Sequence, residues 1–218
     1  MTKVLIWNSF PLKKRNGGPP TYLYNLCVGL KHFNNSKCSV SFLNEMVQEN
    51  NNNLSRFSTI KPLLSLFPNF INYIRLVKYL VKLNFSSDKI YGLDLNSFDI
   101  IHFHISIDVY KNRKHLKDFR GKILVSSHSP QPFWIELIDE IYKLNHKNRM
   151  LSLIKNYIEK KDHWSFKKSD YIVFPCPESR EPYFKWKSFK KNFYKENKFL
   201  YVASGIEKVK FLKDNSKV

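Results

Sequence analysis

Several short runs in this chain are apolar at every position. Val4-Leu5-Ile6-Trp7 is one and Tyr171-Ile172-Val173-Phe174 is another. A strand with one wet face alternates apolar and polar residues. A run with no polar position needs cover on both faces, which is the condition inside a parallel sheet. Val40 to Leu43, Asp99 to His104, Lys122 to Ser126 and Phe199 to Val202 bring the candidate strands to six.

Helical patterns separate these runs. Pro19-Pro20 opens the first, because proline is favoured where the first-turn N–H would have no partner anyway. Leu23, Leu26, Cys27 and Leu30 then recur at spacings of three and four and form its inner face. Residues 63–85 form a second helical stretch with Pro68 as a break or second start. There Phe70, Ile71, Ile74, Val77 and Leu80-Val81 keep the helical period, and Arg75, Lys78 and Lys82 mark the other face. Helices are also expected from Phe133 to Leu144 and over 150–166. Strands alternating with helices predict an α/β fold, a Rossmann-like parallel sheet with helices on both faces. There is no internal repeat, and the run Asn50 to Asn53 reads as a surface loop.

Composition narrows the setting. With 218 residues, 43% hydrophobic and 25% charged, the chain is large enough for one sizeable core. Its net charge of +19 favours anionic partners, although a bias towards Lys and Asn accounts for part of the excess. Cys27, Cys38 and Cys176 make no Cys-x-x-Cys pair, and an odd count argues against a disulfide framework. No apolar run is long enough for a transmembrane helix, and Asn8 ends the first apolar run too early for a secretory signal. A cytoplasmic location is expected.

Ligands of open parallel sheets bind beyond the carboxyl ends of the strands. That rule selects the loops after Trp7, His104, Ser126 and Phe174. In the first, Gly17-Gly18 precede a helix, so backbone N–H groups could approach a phosphate. The segment is neither G-x-G-x-x-G nor a G-x-x-x-x-G-K-[ST] loop, and a plain turn explains it equally well. In the second, His102 and His104 are two apart and share a face. They lack further suitably spaced ligands, so no metal is expected. In the third, Ser126-Ser127-His128-Ser129 follows an apolar strand. A histidine flanked by hydroxyls suits hydrogen bonding to a sugar or phosphate, and its ordinary pKa suits proton transfer. No G-x-S-x-G elbow accompanies it. A basic and aromatic segment, 185–195, fits nucleic-acid phosphates, an anionic membrane or plain solvent.

Six motifs in order resemble the N-terminal half of a family 4 glycosyltransferase with the GT-B fold, over about residues 3–207. They are the opening strand Lys3 to Trp7 and the glycine loop with its helix, Gly17 to Leu26. Phe98-Asp99-Ile100-Ile101-His102-Phe103-His104 resembles the family's D-h-h-H-x-H strand, and Ser126-Ser127-His128 its T-x-H site. Ser169-Asp170 to Arg180 resembles its A-D-x-h-h-x-x-S-x-x-x-R segment, and Val202 to Glu207 the turn into a second domain. The resemblance implies a single acceptor-binding domain over 1–207, with 208–218 the truncated start of the inter-domain linker. It implies transfer of a sugar from a nucleotide-sugar donor to a polysaccharide or lipid-linked acceptor, with retention and with neither an essential metal nor a separate cofactor.

The site implied in this way has His128 as the catalytic residue. Gly17 and Gly18 lie near the donor phosphates, and His104, Ser127, Ser129 and Arg180 complete the substrate-binding set. The family's C-terminal domain carries a Glu-x7-Glu pair, and none occurs here. Catalysis would then need completion by a C-terminal domain, with the chain a truncated product, a fragment or one subunit of a split enzyme whose partner chain supplies that domain. The alternative is a non-catalytic partner or regulatory subunit of a full-length or split transferase. Residues 61–82 and 185–198 are the candidates for docking on an anionic surface, peripherally on the inner face of the plasma membrane. Specific nucleic-acid binding is not expected, because no motif supports it and the basic residues are scattered.

Overall fold

The structure, a computed structural model, describes residues 1–8, 12, 18–32, 37–43, 68–88, 90, 92–128, 131–145, 147–185 and 196–202. Expectations for Gly17, Ser129, Asn50 to Asn53, most of 185–198 and the linker 208–218 fall outside these residues.

All six expected strands are present: β1 (Thr2–Trp7), β2 (Cys38–Phe42), β3 (Ile100–Phe103), β4 (Lys122–Ser126), β5 (Tyr171–Phe174) and β6 (Phe199–Tyr201). They form one sheet in the order β2-β1-β3-β4-β5-β6, and every pairing is parallel. Among the described residues the α-helices are α1 (Gly18–His32), α2 (Pro68–Phe85), α3 (Ser106–Lys111), α4 (Phe133–Ile135), α5 (Ser152–Lys168) and α6 (Glu181–Phe184). The α4 turn widens into a π-type turn over Glu136–Ile141.

Strand order and handedness together decide which face each helix covers. Parallel crossovers are right-handed, so a step in one direction along the sheet uses one face and a step back uses the other. Only the step from β1 to β2 runs backwards, and among the described helices α1 therefore stands alone on its face. Leu23 and Cys27 of α1 pack there against Ile6 and Phe42. The remaining crossovers cover the opposite face. There Leu5, Trp7, Ile101, Phe103, Ile123, Val125, Ile172 and Phe174 meet Leu76 and Leu83 of α2, Ile107 and Val109 of α3, and Ile158 and Phe166 of α5. Each of these large apolar side chains contributes about 1.5–3 kcal/mol through burial.

Two differences from the sequence reading stand out. Helix α3 has no counterpart in it. Its six residues are too few to show a period, and Ser106 to Tyr110 are all buried. In α2, the apolar row that keeps the period is largely the outward one. Phe70 is 57% exposed, Val77 and Val81 are each 52% exposed, and Phe85 is 81% exposed. The helix packs instead through Leu76 and Leu83, with Tyr73, Tyr79 and Leu80 half-buried beside them. Both rows are apolar, and only the position of the sheet selects between them.

The order of the strands reverses between β1 and β3. Crevices open at such a reversal, beyond the carboxyl ends of the strands.

Candidate functional site

Strand β3 ends beside that reversal, and His104 follows it directly. The register pairs His102 with Leu124 and Phe103 with Val125. His102, His104, Ser126 and His128 therefore share the parity that faces α1. Adjacent parallel strands bring together side chains that lie 24 residues apart. Nε2 of His102 is 2.7 Å from Oγ of Ser126. Nδ1 of His104 is 2.8 Å from Nε2 of His128.

The rings stack as well as bond. The planes of His104 and His128 are 10° apart with centroids at 5.1 Å, whereas the rings of His102 and His104 are tilted by 34° with centroids 4.2 Å apart. Tyr22, one turn into α1 from Gly18, lies against both His128 (4.6 Å) and His104 (5.6 Å). The first turn of α1 thus stands beside His128. Prolines at positions 19 and 20 remove two of that turn's free N–H groups.

Burial sets the electrostatics. His104 is 3% exposed, and its pKa is pushed well below the ordinary histidine value by burial and then by its two imidazole neighbours. Burial, with a smaller contribution from His128, lowers His102 to about 4. Burial lowers His128 too. The sequence reading gave His128 an ordinary pKa near neutrality. Here all three rings are neutral at pH 7, so the cluster presents hydrogen-bonding nitrogens and no positive charge.

Ser127 turns to the opposite side. Its N–H continues the ladder to Val173 at 2.9 Å, and its Oγ lies 2.5 Å from Oη of Tyr183. Tyr183 sits in α6, 2% exposed, packed edge-on against Phe166 and Phe174. Burial raises its phenol pKa. Sequence reasoning missed Tyr183, one of 12 tyrosines with nothing local to mark it. Arg180 ends a short turn after β5. Its guanidinium lies 5.4 Å from the ring of Phe184, 5.2 Å from Phe199 and 5.6 Å from Tyr201.

Two motif aspartates have a local structural role at the amino ends of the strands. Asp99 accepts the Lys3 N–H of β1 at 2.8 Å, and Asp170 accepts the Ile123 N–H of β4 at 2.9 Å. Each carboxylate pins the start of the neighbouring strand, far from the imidazoles.

Among the described residues no group of three His, Cys, Asp or Glu side chains is arranged to hold a metal ion. The imidazoles bond in pairs and to a serine, and do not converge on one point. Among the described residues, too, no helix is long and apolar enough to cross a membrane. No protein-family model matches this chain, and no curated protein matches it.

Proposed function

We propose that this chain is the acceptor-binding N-terminal domain of a retaining glycosyltransferase, one that completes its catalytic cleft with a C-terminal donor-binding domain. The observation that carries the reading is the His104–His128 pair beyond the carboxyl end of β3, beside the reversal of strand order and under Tyr22 of α1. Neutral imidazoles and a tyrosine ring suit an uncharged, hydroxyl-rich ligand. Nδ1 of His128, which makes no hydrogen bond among the described residues, can bond a hydroxyl group, and the tyrosine ring gives an apolar surface for a sugar's C–H face. The order of motifs along the chain adds support, with a nucleotide sugar as the donor and a polysaccharide or lipid-linked saccharide as the acceptor.

The same reading gives α2 a role. Phe70, Ile74, Val77, Val81 and Phe85 form one outward row, and Arg75, Lys78 and Lys82 run along its flank. An apolar row bordered by cations fits the headgroup layer of an anionic bilayer, and each well-placed cation contributes about 1 kcal/mol. The charge of +19 complements such a surface. Docking there would hold the domain where lipid-linked acceptors are presented.

Two measurements test the proposal. Imidazole NMR of the chain, titrated with a panel of neutral oligosaccharides and lipid-linked saccharides, should show saturable shifts at His128 and Tyr22. A panel that leaves both unmoved, or moves only remote residues, refutes the sugar site. Flotation should carry the chain with anionic liposomes and not with neutral ones, and Val77→Glu should abolish it. Equal recovery of this variant and the unchanged protein removes α2 from the interface.

A further inference from the structure

His104 has two ring nitrogens and, as a neutral imidazole, one proton. Its Nδ1 lies 2.8 Å from Nε2 of His128. Its Nε2 is sealed from solvent with no hydrogen-bond partner among the described residues. Two arrangements satisfy the contact between the rings. In one, His128 donates from Nε2, and the proton of His104 then sits on the sealed Nε2 with nothing to accept it. In the other, His104 donates from Nδ1, and the sealed atom is a bare lone pair. A buried N–H without an acceptor is rarer in folded proteins than an acceptor lacking one partner. That difference favours the second arrangement.

That choice fixes the neighbour. With Nε2 of His128 accepting, its own proton must be on Nδ1, which makes no hydrogen bond among the described residues and is not sealed as Nε2 of His104 is. We propose that His104 is a positioning residue that holds His128 in the Nδ1–H tautomer, so that His128 offers its ligand a hydrogen-bond donor and meets an acceptor oxygen. The burial that keeps all three rings neutral supports this, because protonation of either ring would dissolve the distinction. Ring contacts with His102, tilted by 34°, and with His128, stacked at 10°, hold the ring of His104 in place. Through Nδ1, His128 then orients a sugar oxygen and does not abstract its proton. This last step rests on the sugar-site reading, but the tautomer does not.

Nitrogen-15 NMR of histidine-labelled protein without ligand, at pH 7.5, reads the tautomers directly. The expected spectrum has His128 and His104 each protonated at Nδ1. His104→Phe removes the donor, and His128 should revert to the Nε2–H form that dominates in free neutral histidine. His104→Asn returns an N–H donor near the former Nδ1 position and should restore the Nδ1–H signal. A native spectrum with His128 protonated at Nε2 overturns the proposal, as does an Nδ1–H signal that persists in His104→Phe. If His104→Phe does not fold, the native spectrum decides alone. No sugar enters the experiment, so its outcome is separate from that of the glycan titration.

Discussion

Asp162 offers the sharpest test of the buried electrostatics. It lies in α5 with 0% exposure. Oγ of Ser106 donates to its Oδ1 at 2.5 Å, which ties α3 to α5, and its Oδ2 has no partner among the described residues. Burial raises its pKa from 3.8 to about 7. The Ser106 bond opposes that rise, while Glu159 and Glu136 add to it. Between those two values the folded protein keeps a proton that the unfolded chain has released. The stability that Asp162 contributes is therefore full below pH 3.8, falls as pH rises, and is flat above about 7. At about 1.36 kcal/mol per unit, the full loss is about 4 kcal/mol. Asp162→Asn cannot ionise and escapes that loss, although its amide N–H groups take the place of Oδ2 at a cost of about 1–3 kcal/mol.

The measurement is urea unfolding of both proteins from pH 5 to pH 8. The stability of the variant relative to the parent should improve by about 3 kcal/mol across that range, with the variant the more stable at pH 8. The buried histidines push the other way. Their pKa values are lowered, so they withdraw stability as pH falls below 6.5. They are present in both proteins and cancel in the difference. A difference that stays constant from pH 5 to pH 8 would show that Asp162 is ionised in the fold, and the reasoning would fail.

Other substitutions test the packing. Leu83→Ala in α2 removes a side chain that is 2% exposed and should cost about 2–5 kcal/mol in chemical denaturation. Val81→Ala on the outward row should stay within about 0.5 kcal/mol, and equal costs would mean that the helix is turned differently. Gly121→Ala would place a Cβ 2.5 Å from the Asp99 carbonyl oxygen and 2.5 Å from the ring of Phe119. It should lower stability by about 1–3 kcal/mol, and an unchanged unfolding midpoint would contradict the close approach of that turn to β3.

Much of the architecture was readable in the chain. The continuous apolar runs Val4 to Trp7 and Tyr171 to Phe174 gave away their strands, because a run without a polar position has no stable place except between two layers. Helices α1, α2 and α5 carried enough turns to show a period. Helix α3 did not, and burial on all sides erased what pattern it had. His104 and His128 stood out as histidines at strand ends, but their bond depends on β3 and β4 being neighbours in register. The contact of Tyr183 with Ser127 spans 56 residues and leaves no trace in either local sequence.

The sequence by itself determined the class of fold, the number and place of the strands, and which strand ends carry polar side chains. These follow from local rules of solvation and backbone geometry, which act over a few residues. Only the tertiary structure decided which apolar row of α2 turns inward, that the three imidazoles are neutral, and which nitrogen of His104 is sealed. Those outcomes depend on what lies across the interface from each group, and strand order sets that for residues far apart in the chain.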